Sequence, residues 1–158
     1  EDVIEQLMTC LRSRVWAADV LSRRPYHSLA DVEDQAMAAA RGLTDHELAG
    51  ALAAHPRIGE QPDGAGAEAA FSRAEQSAVA ADPDAGTAAA LLRANEEYEA
   101  RFGHVFLIRA AGRDATEILT LARQRLTHDP HTEGRVVREQ LGEIAVGRLR
   151  SLLAHHSP

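Results

Sequence analysis

Residues 132–155, TEGRVVREQLGEIAVGRLRSLLAH, decide the fold class. Their apolar stripe, Val137, Leu141, Ile144, Leu149 and Leu152, keeps to one side of a helix with about 3.6 residues per turn. The spacing predicts a last helix from Thr132 to about His155. Arg148 follows Ile144 by four positions and lies close to the apolar side, whereas Arg150 points to another face. An arginine on a buried side needs a protein carboxylate or a bound anion as partner. A surface or salt-bridged arginine fits the spacing equally well.

Working outward, the same periodicity recurs. Val3, Ile4, Leu7, Leu11, Val15, Ala18 and Leu21 predict one helix over 2–22, ended by Arg24-Pro25. A helix over 29–41 should stop at Gly42. Thr44-Asp45-His46-Glu47 and Ser72-Arg73-Ala74-Glu75 have the form of capping boxes. The first predicts a helix through about Ala53, and the second opens a helix broken by Asp82-Pro83. Another helix is predicted over about 84–101. Asp114-Ala115-Thr116-Glu117 caps one through about Leu126, and His128-Asp129-Pro130 is a loop. Pro56 to Gly66, with two prolines and three glycines, is the longest loop signal. Phe102–Ile108 is aromatic and β-prone, and reads as a buried extended segment or a broken helix start. The expectation is an all-α, single compact domain over 1–158 of about seven or eight helices, with one short extended segment near 102–108.

Composition bounds the function. The 158 residues are about one domain's worth of chain, and few β-branched residues cluster. The net charge of −7 disfavours nucleic acid or an acidic membrane surface as a general partner. Cys10, the single cysteine, reads as a core residue inside the first helix and fits a reducing compartment. No apolar run reaches the roughly 18 residues of a membrane span. The start has no basic region ahead of an apolar stretch, so no signal peptide is expected. A cytoplasmic location is the expectation.

The chemistry concentrates in His55-Pro56-Arg57-Ile58-Gly59 and Ser72-Arg73-Ala74-Glu75-Gln76. Histidine changes charge near neutral pH, and a carboxylate in reach fixes its tautomer. Pro56 holds His55 to extended backbone, and Gly59 permits a sharp turn. His55 also reads as a structural residue at a helix end, and Glu75 as a capping glutamate. Both readings stand on the residues alone. A helix opened by Ser72 would further offer free amides to a polar ligand. The close histidine pairs, His128/His131 and His155/His156, make no His-Glu-x-x-His motif, and no Cys/His spacing fits zinc. There is no Gly-x-Ser-x-Gly, and Gly64-Ala65-Gly66 is not a phosphate loop.

These pieces, taken with Asn95-x-x-Tyr98-x-x-Arg101-Phe102-Gly103-x-x-Phe106, Gly112-Arg113 and Ile144-x-x-x-Arg148-Leu149, resemble the OHCU decarboxylase family. Its reaction takes 2-oxo-4-hydroxy-4-carboxy-5-ureidoimidazoline (OHCU) to (S)-allantoin and CO2 in urate degradation. The pieces occur in the family's order between about residues 44 and 153. The resemblance implies an all-α homodimer acting on a small molecule without cofactor or metal. It implies that His55 is catalytic with Glu75 as its acidic companion. It implies that Ser72 and Arg148 hold the substrate, and that Pro56, Phe102, Gly103, Phe106 and Ile108 line the pocket. The chain departs from the family at Val146, Gly147 and the acidic, glycine-rich loop after Gly59. Two other readings compete: a metal-dependent ureide or cyclic amide hydrolase, and a non-catalytic α-helical ureide-binding or interaction module.

Overall fold

Nine α-helices and no strand occur among the residues described by a computed structural model, 2–60, 66–80 and 84–155. They are α1 (Val3–Met8), α2 (Arg14–Ser22), α3 (Leu29–Arg41), α4 (Asp45–Leu52), α5 (Ala67–Glu75), α6 (Ser77–Ala80), α7 (Ala85–Phe102), α8 (Ala115–Arg125) and α9 (Pro130–His155). The all-α expectation holds. The chain forms two compact units, Glu1–Ala51 with Arg135–Pro158, and Leu52–Gly134.

In the first unit the single helix expected over 2–22 is two helices. Thr9 closes α1, its hydroxyl donating to the Gln6 carbonyl at 2.7 Å. Ser13 opens α2, its side chain accepting the Trp16 amide at 3.2 Å. Short hydroxyl side chains compete with the helix for backbone partners, so two of them four residues apart favour ends over a continuous interior. The break lets Cys10 and Leu11 turn fully into the core, so Cys10 is a core residue in a turn rather than inside a helix. Trp16 is fully buried, and its indole nitrogen donates to the Ala36 carbonyl at 2.9 Å, joining α2 to α3.

Helix α3 runs over 29–41 with Gly42 as its C-cap, as the sequence predicts. The Thr44/Glu47 capping box is real: the Thr44 amide donates to Glu47 at 2.8 Å, and the Glu47 amide donates to the Thr44 hydroxyl at 3.3 Å. Gly142 lets α9 approach α3 closely, since a Cβ there would lie 2.9 Å from Met37 Sδ and 3.2 Å from Ala40 Cβ. Val137, Leu141, Ile144 and Leu149 are buried as the stripe predicts, with Leu152 half-buried. Arg150 lies on the exposed side and pairs with Glu33.

The second unit is built on α7 packed against α8, with α6 also on α8. Its core includes Leu91, Ala94, Tyr98, Phe106, Ile108, Ile118 and Ala122. Asp84 caps α7, and Gly103 ends it with φ +77°, a left-handed conformation that favours glycine. Residues 105–110 then run without regular structure and bury Phe106, Leu107, Ile108 and Ala110. Of the expected segment 102–108, Phe102 belongs instead to α7, where it completes the helix before the glycine. Asp114 caps α8 through the Glu117 amide at 2.8 Å. Helix α9 begins two residues earlier than expected, because Pro130 is preorganised for a first helical position and Asp129 caps it through the Thr132 amide.

The largest correction concerns Ser72-x-x-Glu75. Helix α5 already starts at Ala67 from Gly66, so Ser72 lies in its last turns and Glu75 ends it. The alanine-rich run Ala67-Glu68-Ala69-Ala70 carries strong helix formers and nucleates ahead of the serine. No capping box forms there. Asp82-Pro83 and the middle of the 56–66 loop, 61–65, lie outside the described residues. The helix count exceeds the expected seven or eight because the first helix divides and the short α6 is added.

Candidate active site

His55 stands immediately after α4, on a loop whose direction is fixed residue by residue. The His55 amide donates to the Leu52 carbonyl at 3.0 Å, and the residue is 9% exposed. Pro56 is half-buried. Arg57 forks onto Glu99 of α7, Nε to Oε1 at 2.5 Å and Nη2 to Oε2 at 2.9 Å, and also reaches Glu60 at 3.2 Å. The Arg57 pKa is raised above its ordinary value, chiefly by its hydrogen bonds to Glu99, and the same pairing lowers the Glu99 carboxyl. Ile58 is buried, and its carbonyl accepts Asn95 Nδ2 at 3.0 Å. The Gly59 amide donates to Gln76 Oε1 at 3.0 Å, with Gly59 at φ +91°.

That last bond ties the histidine loop to the residue beside Glu75. Gln76 is the C-cap of α5, and its amide donates to the Ser72 carbonyl at 3.1 Å. Ser72 is 3% exposed and Glu75 is half-buried. Glu75 is the last residue of α5 and stands two residues before α6 begins at Ser77. The reading of Ser72 as opening a set of free amides falls with the capping box.

Behind the 105–110 segment lies a buried ionic cluster that sequence spacing missed. Glu133, fully buried, accepts from Arg125 Nε at 2.7 Å, Arg125 Nη2 at 2.5 Å and the Tyr98 hydroxyl at 2.5 Å. His128 Nδ1 lies 2.9 Å from its other oxygen. Arg125 also donates Nη1 to the Leu107 carbonyl at 2.5 Å, and its guanidinium sits 4.7 Å from the Phe106 ring centre. Burial first, and then the bond to Glu133, raises the Tyr98 pKa. The Tyr98 ring packs on Phe102 at 4.7 Å and edge-on to Phe106 at 5.2 Å.

His55, Pro56, Ser72, Glu75, Phe102, Gly103, Phe106 and Ile108 all belong to the unit Leu52–Gly134. Phe106 and Ile108 are buried, Phe102 is half-buried and Gly103 is exposed. Arg148 belongs to the other unit and is 2% exposed on α9. Among the described residues no group of three His, Cys, Asp or Glu side chains is placed to hold a metal ion, and no helix is long and apolar enough to cross a membrane. Asn95, Gln76, Arg125 and Glu133 were not singled out as site residues from sequence. The available signal was a polar residue on an apolar face: Asn95 falls between Leu91 and Tyr98 at steps of four and three.

Comparison with known proteins places the chain. Residues 1–150 match the sequence model of OHCU decarboxylase. The chain belongs to the OHCU decarboxylase family. It is 32% identical over 143 residues to 2-oxo-4-hydroxy-4-carboxy-5-ureidoimidazoline decarboxylase of Amia calva, covering 90% of this chain and 82% of that one. The Mus musculus protein of the same name is 31% identical over 142 residues, covering 89% and 80%. A crystal structure of OHCU decarboxylase in the presence of (S)-allantoin shares the fold, with a TM-score of 0.79 over 95% of this chain and 98% of that one at 23% identity.

Proposed function

We propose that this chain is a carboxy-lyase that converts OHCU to (S)-allantoin and CO2 in urate degradation. The observation that carries the reading is the family match over residues 1–150. In this reaction the bond to the carboxylate breaks and CO2 leaves. The electron pair enters the adjacent ring C=N, so the substrate is its own electron sink. A proton delivered to one face of the resulting enol sets a single allantoin enantiomer.

His55 exchanges that proton, with Glu75 setting its orientation and charge. Support comes from the loop geometry that holds His55 and from the Gly59–Gln76 bond, which ties that loop to the residue beside Glu75. Ser72 and Arg148 hold the substrate's polar and anionic groups. Pro56, Phe102, Gly103, Phe106 and Ile108 line the pocket. The family resemblance supports a homodimer, the single cysteine supports a cytoplasmic setting, and the chain's length supports one catalytic domain. Light scattering on the purified chain tests the dimer.

Replacement of His55 by Asn tests the site. With freshly prepared OHCU, circular dichroism should show (S)-allantoin forming at least about 10²-fold more slowly than with the parent chain, the scale of general acid–base catalysis. A rate equal to the parent's removes His55 from the mechanism.

A further inference from the structure

Asn95 occupies a helix position where the fold calls for an apolar side chain. It is 3% exposed, between Leu91 and Tyr98 on the buried face of α7. Asparagine is a poorer helix former than leucine. Its Oδ1 is buried and accepts no hydrogen bond among the described residues. An apolar residue would avoid both penalties, so the amide is present for its one satisfied group, Nδ2, which donates to the Ile58 carbonyl at 3.0 Å. The neighbouring cavity of about 430 Å³, which Asn95, Arg57 and Gly59 line, does not explain the amide. Less than 1 Å² of Oδ1 is accessible, so nothing in that cavity reaches it.

The Asn95 bond is the middle of three consecutive fixings. Arg57 is held by Glu99, Ile58 by Asn95 and Gly59 by Gln76. Two of these come from one face of α7, four residues apart, and the third comes from the residue after Glu75. Asn95 grips the carbonyl of buried Ile58 from the buried face of α7. We propose that Asn95 is a positioning residue for His55, holding the 57–59 backbone so that the imidazole keeps the geometry proton transfer requires. The inference rests on the proposed role of His55. Misplacing a catalytic group by about 1 Å can cost on the order of 10²-fold in rate.

The test compares Asn95→Leu, Asn95→Asp and His55→Asn with the parent chain. Leucine keeps the volume and removes the donor. Asn95→Leu should lower kcat by about 10-fold or more, with KM within about 2-fold, because the loop is displaced while substrate contacts persist. It should also shift the His55 Cε1–H NMR signal, assigned as the resonance missing from His55→Asn. Asn95→Asp restores a donor only while its carboxyl is protonated. Its rate relative to the parent's should therefore fall as pH rises through that carboxyl's pKa, which decides the matter even where Asn95→Leu fails to fold. An Asn95→Leu variant with parental kcat, an unmoved His55 signal or a flat Asn95→Asp ratio overturns the proposal. If His55→Asn itself keeps the parental rate, the reading of His55 fails first and there is nothing for Asn95 to position.

Discussion

Replacing Arg125 by Met should be among the most damaging single changes in the unit Leu52–Gly134. Arg125 is 5% exposed and Glu133 fully buried. The substitution removes both guanidinium bonds to Glu133 and the bond to the Leu107 carbonyl. Glu133 is left with Tyr98 and His128 as its described partners, and a carboxylate without its cation. Breaking one side of a buried ion pair costs about 3–5 kcal/mol, because the remaining charge stays out of water. Against a total stability of about 5–15 kcal/mol this is a large fraction. At about 2–4 °C per kcal/mol for a chain of this size, Tm should fall by roughly 6–20 °C. Urea unfolding followed by circular dichroism at 222 nm measures the free-energy change, and a thermal melt measures the Tm. The exposed pair Arg41–Glu139 is the control, since Arg41→Met breaks an ion pair in water and should change little. If Arg125→Met stays within about 1 kcal/mol of the parent chain, the cluster does not hold the charge argued for it.

Two glycines of α9 should respond in opposite directions to alanine. A Cβ at Gly147 meets nothing within 4 Å, so Gly147→Ala should stabilise by about 0.5–1 kcal/mol through helix propensity. At Gly142 it would lie 2.9 Å from Met37 Sδ, so Gly142→Ala should destabilise by roughly 1–3 kcal/mol despite the better propensity, and thermal melts of the two variants check the sign. The Asp129 carboxyl is lowered to about 2, first by the Thr132 amide and then by its hydroxyl. A depressed folded pKa contributes stability above the unfolded value of about 3.9 and loses it as pH falls through the folded value. Asp129→Ala should therefore lower Tm at neutral pH, and the difference should vanish towards pH 2; a difference independent of pH refutes the cap.

The parts of the fold readable from sequence were those set by one local rule. Helix α3 follows from its periodicity and Gly42, and α4 from a box whose two hydrogen bonds both form. Ser72-x-x-Glu75 carried the same letters and forms no box, because Ala67–Ala70 starts the helix sooner. A capping motif specifies an N-terminus only when nothing upstream is more helical. The break at Thr9–Ser13 was hidden for the opposite reason, since Leu7, Leu11 and Val15 continue the apolar period across it. Of the candidate site, the residues of recurring motifs were legible. Their pairings were not, even for the motif residue Asn95, because Asn95–Ile58 and Arg125–Leu107 join a side chain to a distant backbone carbonyl, and any residue type supplies a carbonyl.

Those anchors share one physical cause. An α-helix satisfies its own backbone, so an all-helical unit meets the problem of unmet amides and carbonyls only where it leaves the helix. Among its described residues the unit Leu52–Gly134 does so at 55–60 and at 105–110, the stretches that carry His55 and the buried Phe106–Ile108 run. At each, side chains anchored in helices supply the missing partners: Asn95 for the Ile58 carbonyl, Gln76 for the Gly59 amide, Arg125 for the Leu107 carbonyl. A carbonyl or amide left unmet in the interior would cost about 1–3 kcal/mol and pull the loop towards water. The irregular backbone therefore keeps its course only while these side chains hold it. Buried polar groups in this unit serve the shape of the loops, and substitutions at Asn95 and Gln76 should disturb the 55–60 backbone before they disturb the helices.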